Sequence, residues 1–437
     1  MQVRTAVLIT ALAWTSVSAD KTALTAEQRR VNLESFDYVW NTVREKHWDP
    51  TLGGLDWQAV RDELRPKVEN ATTQDQARDA MSEMLKRLHQ THFGIIPSEV
   101  YGEMKGGKDD HEAADNGEGD PGMDLRVLDG HAVVTEVTRN SPAASAGVKP
   151  GWEIARVDGK DITKSLKLIE ERSPDTTLRD LRLMHAVEDR LSGDVGTQVE
   201  VEFRDSTDRR VTLKLDRTSP RGSVAHLGNL PPLRFWVETR KLDPGIGYLR
   251  FNMFFEPDAL MTAVSRIMKE CTGCRGFIVD LRGNPGGIGG LAMGLAGWFT
   301  DRSGTRLGTM YMRSGNLNFA IFARPEPFRG PLAVLVDGCS ASTSEIFAGG
   351  LKDLHRARIF GTRTAAAALP SVVEKLPNGD GFQYAIANYV SDGGQALEGN
   401  GVAPDVEIKL TREALLAGHD PVEDAALEWI NKQRSPQ

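Results

Sequence analysis

Two turns in this sequence carry residue types that can do chemistry. Apolar Leu332–Val336 runs into Asp337-Gly-Cys-Ser-Ala-Ser-Thr-Ser-Glu (337–345), so a buried strand gives way to a serine-dense helix start. A serine at a helix N-terminus can serve as a nucleophile, because unpaired amides and the macrodipole there stabilise an oxyanion. The same residues also read as a helix cap, since Ser342 and Glu345 have capping-box spacing. In the second turn, VDLRGNPGGIGG (279–290), adjacent glycines follow another apolar run, and their backbone N–H groups can face a ligand. The segment is not GxGxxG, and no acidic residue stands at the ribose-binding distance, which disfavours a dinucleotide site.

Other chemistries fit less well. His89 and His92 lack the intervening glutamate and third ligand of a zinc site. Of three cysteines, Cys271 and Cys274 form a CxxC that can close a small disulfide. A redox CxxC opens a helix, whereas this one ends one, and no second pair exists for zinc. With 53 basic and 61 acidic residues the net charge is −8, so nucleic acid and anionic lipid are poor partners.

The elements that must hold these residues follow from periodicity and caps. Thr25 and Gln28 have capping-box spacing, and Phe36, Val39, Trp40 and Val43 recur at helical intervals. Thr73-x-x-Gln76 opens another helix, with Ala77, Ala80, Met81, Met84, Leu85 and Leu88 on one face, so 25–92 reads as three helices delivering His89 and His92 at their end. The glycine-rich stretch 101–121 carries seven acidic residues and reads as a linker. Alternating strands are expected at Ala132–Val137, Glu153–Val157, Gln198–Phe203 and Arg210–Leu215, interrupted by a helical insert over 165–192. From Ile246 the pattern becomes α/β: strand Ile246–Phe251, helix Asp258–Cys271, strand Gly276–Leu281, helix Leu291–Phe299, strand Leu332–Val336 and helix Ala341–His355. Asp420-Pro421 starts a last helix reaching Lys432.

At the N-terminus, Arg4 precedes the apolar run Ala6–Trp14, and Val17-Ser18-Ala19 offers small residues to a signal peptidase. Residues 1–19 are therefore read as a cleaved signal, placing the protein in the periplasm or outside the cell. No later run is long enough to cross a bilayer.

The pair DLRGNPGG and VDGCSASTSEI closely resembles the carboxyl-terminal-processing, or tail-specific, serine peptidases and the related tricorn core. SPAASAGVKPGWEIARVDGKDI (141–162) resembles a bacterial PDZ signature, and GNGVAPD (399–405) resembles the G-x-G-V-x-P-D tail of the same peptidase core. The likeness spans about residues 80–408 with four motifs in order. It implies a multi-domain α/β protein: a helical N-terminal domain (20–100), a PDZ-like domain (122–218), a crotonase/ClpP-like α/β core (219–410) and a C-terminal helix (411–437). It also implies Ser342 as nucleophile, with oxyanion donors from Gly286 or Gly287 and from Thr343. The tail-specific branch places a lysine where this chain has Ala367, in GTRTAAAA (361–368). In the tricorn branch the base is an upstream histidine preceded by a hydroxyl residue and completed by a glutamate. Thr91-His92 in LHQTHFG (88–94) and Glu398 match those positions, while Lys352 and Lys375 stand in no recognisable site.

The resemblance therefore implies a serine endopeptidase that needs no metal or organic cofactor. Its partners would be protein or peptide substrates whose C-termini add as a strand along Gly122, Met123, Asp124 and Leu125. A histidine base needs no burial to be neutral, so activity is expected to rise through the range near pH ~6.5 and to hold above it. The competing expectation is an inactive peptidase-like binding protein that uses the cleft as a receptor.

Overall fold

The computed structural model describes residues 7–8, 23–98, 117–172, 177–225, 233–242, 245–302 and 304–433. The expected signal segment 1–19 lies outside them, apart from the two-residue strand Val7–Leu8, which pairs antiparallel with Gly287–Ile288. Most of the expected linker, 101–116, is likewise outside the described residues.

Three helices lead the chain: α1 (Ala26–Lys46), α2 (Trp57–Glu69) and α3 (Gln74–Lys86). The capping box forms, Thr25 N–H donating to Gln28 Oε1 at 2.8 Å and Gln28 N–H to Thr25 Oγ1 at 3.2 Å. The apolar faces of α1 and α3 meet as their spacing requires, burying Phe36, Val39, Val43, Ala77, Met81 and Met84. The helices do not close this core alone. Leu376, Phe382 and Tyr384 from the hairpin Ser371–Lys375/Gly381–Ala385 complete it. Strand Gly94–Ile96 pairs antiparallel with Gly381–Gln383, and the buried Arg78–Asp380 ion pair (2.7 Å) lies beside that seam. The region expected as a helical domain over 20–100 thus shares a core with the α/β unit, because the hairpin's aromatic rings cover a face the helices leave open.

Residues 118–218 fold around an antiparallel sheet. Its order is Arg210–Asp216, Gln198–Arg204, Glu153–Val157, His131–Val137 and Met123–Leu128, with the last strand at the edge. The helical insert expected over 165–192 comprises two helices, Ile162–Arg172 and Arg179–Leu191, the second lying against Met123–Leu128. Thr177 and Leu178 intervene, and Leu178 has φ +60°, which no continuous α-helix accommodates.

The C-terminal half is α/β. Its sheet order is Val237–Leu242, Ile246–Phe251, Gly276–Asp280, Leu332–Val336, Arg358–Gly361 and Val406–Glu407; the first pair is antiparallel and the others parallel. Gly276–Asp280 and Leu332–Val336 are buried throughout, because helices cover both faces. Helices Pro257–Glu270, Gly289–Ala296 and Thr343–Asp353 pack on one face, and Pro421–Lys432 places Val422, Ala426 and Ile430 on the other. The turns after Gly276–Asp280 and Leu332–Val336 therefore emerge side by side at the carboxyl ends of adjacent parallel strands, where open α/β sheets build sites. Cys271 and Cys274 are disulfide-bonded just past the helix Pro257–Glu270, and Cys339 is buried. No helix among the described residues is long and apolar enough to cross a membrane.

Candidate active site

The two chemistry-bearing turns are laced together by hydrogen bonds. Ser340 Oγ donates to Leu281 O (2.7 Å), Ala341 N–H to Asn284 O (3.1 Å), Thr343 Oγ1 to Gly287 O (2.8 Å) and Ser344 Oγ to Asn284 O (2.9 Å). Ser340, Thr343 and Ser344 thus spend their hydroxyls on structure. Ser342 does not: it is fully buried, and its Oγ has no hydrogen-bond partner among the described residues.

Ser342 sits at φ 57°, ψ −115°, outside the regions an ordinary residue occupies. The surrounding bonds over-determine this geometry. Its N–H is shared between Ala367 O (2.8 Å) and Glu345 Oε2 (2.9 Å). Glu345, also fully buried, further accepts from Thr364 Oγ1 (2.6 Å), Ala366 N–H (2.9 Å) and Ala367 N–H (2.9 Å). Its reach to Ser342 N–H is the expected capping contact, and the other three donors extend its role. Burial pushes its carboxyl up to about 7, while the donors pull against that rise.

A second chain of bonds approaches from the helical region. Thr91 N–H donates to Glu398 Oε1 (2.8 Å) and Thr91 Oγ1 to Glu398 Oε2 (2.9 Å). Thr91 Oγ1 lies 2.7 Å from His92 Nδ1. Since the threonine proton goes to the carboxylate, its oxygen accepts from Nδ1–H, which leaves the lone pair on Nε2. That Nε2 is buried and has no partner among the described residues. Burial of the whole ring (1% exposed) depresses its pKa to about 3. Burial therefore holds the ring neutral well below the ordinary histidine range.

The two chains of bonds meet on one segment. Ala368 N–H donates to Glu398 Oε2 (3.0 Å), and its neighbour Ala367 supplies the carbonyl that receives Ser342 N–H. The alanine run that replaces the lysine motif is thus the bridge between the serine and the His92–Thr91–Glu398 chain. Lys352 is tied to Ala403 O (2.5 Å) and Asp405 (3.1 Å), and Lys375 is exposed. His89 is exposed while His92 is buried, so they share no common surroundings.

Gly286 is pressed against the serine: a Cβ on it would lie 2.7 Å from Ser342 Cβ and 2.8 Å from Thr343 N, at φ +104°. Its own N–H donates to Asn284 Oδ1 (2.9 Å), so this member of the expected oxyanion pair is engaged within its turn. Gly287 lies on the strand edge that pairs with Val7–Leu8, and Thr343 heads the helix Thr343–Asp353.

At the expected peptide-binding strand, Gly122 N–H donates to Asp120 Oδ1 (2.6 Å), Asp124 pairs with Arg221 (2.7 Å) and Arg250 (3.1 Å), and Leu125 is buried. Arg126, next on this strand, donates to Asp337 Oδ2 (2.7 Å), while Asp337 Oδ1 accepts from Gly283 N–H (2.9 Å) and Cys339 N–H (3.0 Å). The strand is therefore wired to the serine turn. No sequence signal pointed to the bridging role of Ala365–Ala368 or to this link.

Residues 245–408 match Peptidase family S41, and residues 30–86 match the Tricorn protease C1 domain. The chain is 26% identical over 391 residues to a carboxyl-terminal-processing protease of Synechocystis sp., covering 87% of this chain and 80% of the relative. To carboxyl-terminal-processing peptidase 3, chloroplastic, of Arabidopsis thaliana it is 27% identical over 384 residues, covering 84% and 67%. Among solved structures, the photosystem II D1 C-terminal processing protease aligns over 94% of this chain and 99% of its own, with TM-score 0.57 and 24% identity. Mature CPAF aligns over 93% and 97%, with TM-score 0.61 and 15% identity.

Proposed function

The chain belongs to the carboxyl-terminal-processing serine peptidases of family S41, and from that premise we propose a Ser342 nucleophile with a histidine base. His92 Nε2 takes the Ser342 Oγ proton as the oxygen attacks the peptide carbonyl, then returns it to the leaving amine. Water repeats the exchange on the acyl-enzyme and frees the new C-terminus. Thr91 and Glu398 hold the imidazole in the tautomer that leaves Nε2 free. Gly287 N–H and Thr343 N–H serve the oxyanion, with Gly286 joining if its bond to Asn284 is released.

One observation carries this reading. Ser342 Oγ and His92 Nε2 are both buried without a partner among the described residues, at the ends of bond networks that meet on Ala367–Ala368. An orphaned buried hydroxyl and an orphaned buried ring nitrogen are costly and call for an explanation. Function supplies it. The Gly287–Ile288 edge supports an extended peptide substrate, since it accepts a strand from Val7–Leu8. The edge strand from Met123, beside the helix Arg179–Leu191, would hold substrate C-termini, and the substrates would be extracytoplasmic proteins met after cleavage of a signal over 1–19.

The test is a fluorophosphonate probe, with the modified residue located by mass spectrometry. Labelling at Ser342, lost in Ser342→Ala and reduced by several powers of ten in His92→Ala, supports the assignment. Labelling that survives Ser342→Ala overturns it, and an unlabelled, proteolytically silent wild type favours the binding-protein reading. For the C-terminal specificity, a peptide acid should bind more tightly than its amide; equal affinity refutes strand-end recognition.

A further inference from the structure

A second buried histidine stands behind the loop that carries the first. His47 is 0% exposed and ends α1, where its N–H donates to Val43 O at 3.0 Å. Its Nε2 lies 2.9 Å from Oε1 of Gln90, two residues before His92. Its ring stacks on that of Phe93, one residue after His92, with centroids 5.6 Å apart. With Gln90 presenting its oxygen, Nε2 carries the proton and donates, and Nδ1 accepts from Asp49 N–H (3.0 Å), so one tautomer meets both contacts.

His47 is itself fixed from the α/β unit. Arg313, in the turn of the hairpin Arg306–Met312/Gly315–Ala320, donates to Arg44 O (2.9 Å), Glu45 O (2.9 Å) and His47 O (2.5 Å). Arg44 O and Glu45 O are among the carbonyls that a helix leaves unpaired at its C-terminus. One guanidinium therefore holds the helix end from which the imidazole projects.

The loop needs this support. His89 and His92 both sit at positive φ, +52° and +60°, which is costly for residues other than glycine and persists only where the surroundings over-determine it. The neighbours of His92 are each tied elsewhere: Gln90 to His47, Thr91 to Glu398, Phe93 to the His47 ring, and Gly94 to Gln383 by strand pairing. His47 supplies two of these four ties.

Resting on the reading of His92 as general base, we propose that His47 is a positioning residue for it. Through the Gln90 hydrogen bond and the Phe93 stack, it holds the left-handed backbone at His92 and so aims Nε2 at the nucleophile. Its contacts are with Gln90 and Phe93 rather than with the reacting groups, so its effect falls on proton transfer. Displacing a general base by about an ångström costs up to ~10²-fold in rate and leaves substrate binding as it was.

The test is a double-mutant cycle on the full chain, read as kcat and KM for a peptide substrate and as the rate of fluorophosphonate labelling. His47→Phe keeps a ring to stack and loses the donor, while Gln90→Leu loses the acceptor at similar size. Each should lower kcat and labelling about tenfold to a hundredfold, with KM changed by less than about twofold. The double variant should fall no further than either single one, because both remove the same bond. His47→Gln, whose side-chain N–H can stand where Nε2–H stood, should recover part of the loss. In a His92→Ala background the residual labelling should not respond to His47→Phe, since no imidazole remains to be aimed. Unchanged kcat in both single variants, losses that multiply in the double variant, or a further fall in the His92→Ala background overturns the positioning role. Gln90 is half-buried in a loop, so its variant keeps the question decidable if His47→Phe does not fold. Full activity in His92→Ala overturns the base assignment instead.

Discussion

Acidification probes the buried imidazole directly. His92 is almost wholly shielded from water, and its pKa falls from 6.5 to about 3 because burial opposes the charged ring. A folded-state value below the unfolded one fixes the sign. The stabilisation is complete above pH ~6.5 and drains away as pH falls towards ~3, because only the unfolded chain binds the proton in that window. Each pH unit there is worth about 1.4 kcal/mol, so the native state loses about 2 kcal/mol through His92 between pH ~6.5 and ~5. His92→Gln removes the titrating group at similar size. Urea unfolding of both proteins at pH ~7.5 and ~5 gives a double difference in which the other titrating groups cancel to first order. Wild type should lose about 2 kcal/mol more than the variant. Equal losses would mean that the ring protonates as readily in the folded protein as in the unfolded chain, and the argument from burial would fail.

Further outcomes follow from the same geometry. Because Glu345 is pushed up to about 7, a limb in kcat near neutrality belongs to it rather than to His92. Glu345→Gln should abolish that limb and lower kcat about 10²-fold with little change in KM, as it puts an amide donor among four N–H and O–H donors. Gly286→Ala forces a Cβ against Ser342 and Thr343 at φ +104°; probe labelling should fall at least ~10²-fold and stability by about 1–3 kcal/mol, read from the urea midpoint. Arg78→Leu leaves the carboxylate of Asp380, 0% exposed, without its guanidinium, and should cost about 3–5 kcal/mol in unfolding experiments.

Local structure was legible in the sequence wherever residues within a few positions of each other decide it. The Thr25 capping box, the strand Leu332–Val336 buried on both faces, and the helix begun by Asp420-Pro421 stand where spacing and composition put them. These depend on neighbours within a few positions, and such interactions leave a periodic or capping trace. The serine turn was legible for the same reason, although its residues admitted both a cap and a nucleophile. The fold gives Ser340, Thr343 and Ser344 hydroxyl partners, whereas Ser342 Oγ has none among the described residues, which supports the proposed nucleophile beside the capping contact of Glu345.

What the tertiary structure decided are relations between distant segments. Thr91 and Glu398 are 307 positions apart and meet because a hairpin of the α/β unit completes the helical core and draws the 88–96 loop in with it. The depressed pKa of His92 is a property of what surrounds the ring, and a lone histidine in a sequence carries no trace of its future burial. Leu178 read as part of a polar helical insert, and its place beside Ala341, Ala365 and Ala367 follows from how two units dock. Sequence spacing encodes the short-range forces that make helices, strands and caps. Burial, desolvation and the joining of bond networks arise only when those elements pack against each other, which is where the chemistry of this site is set.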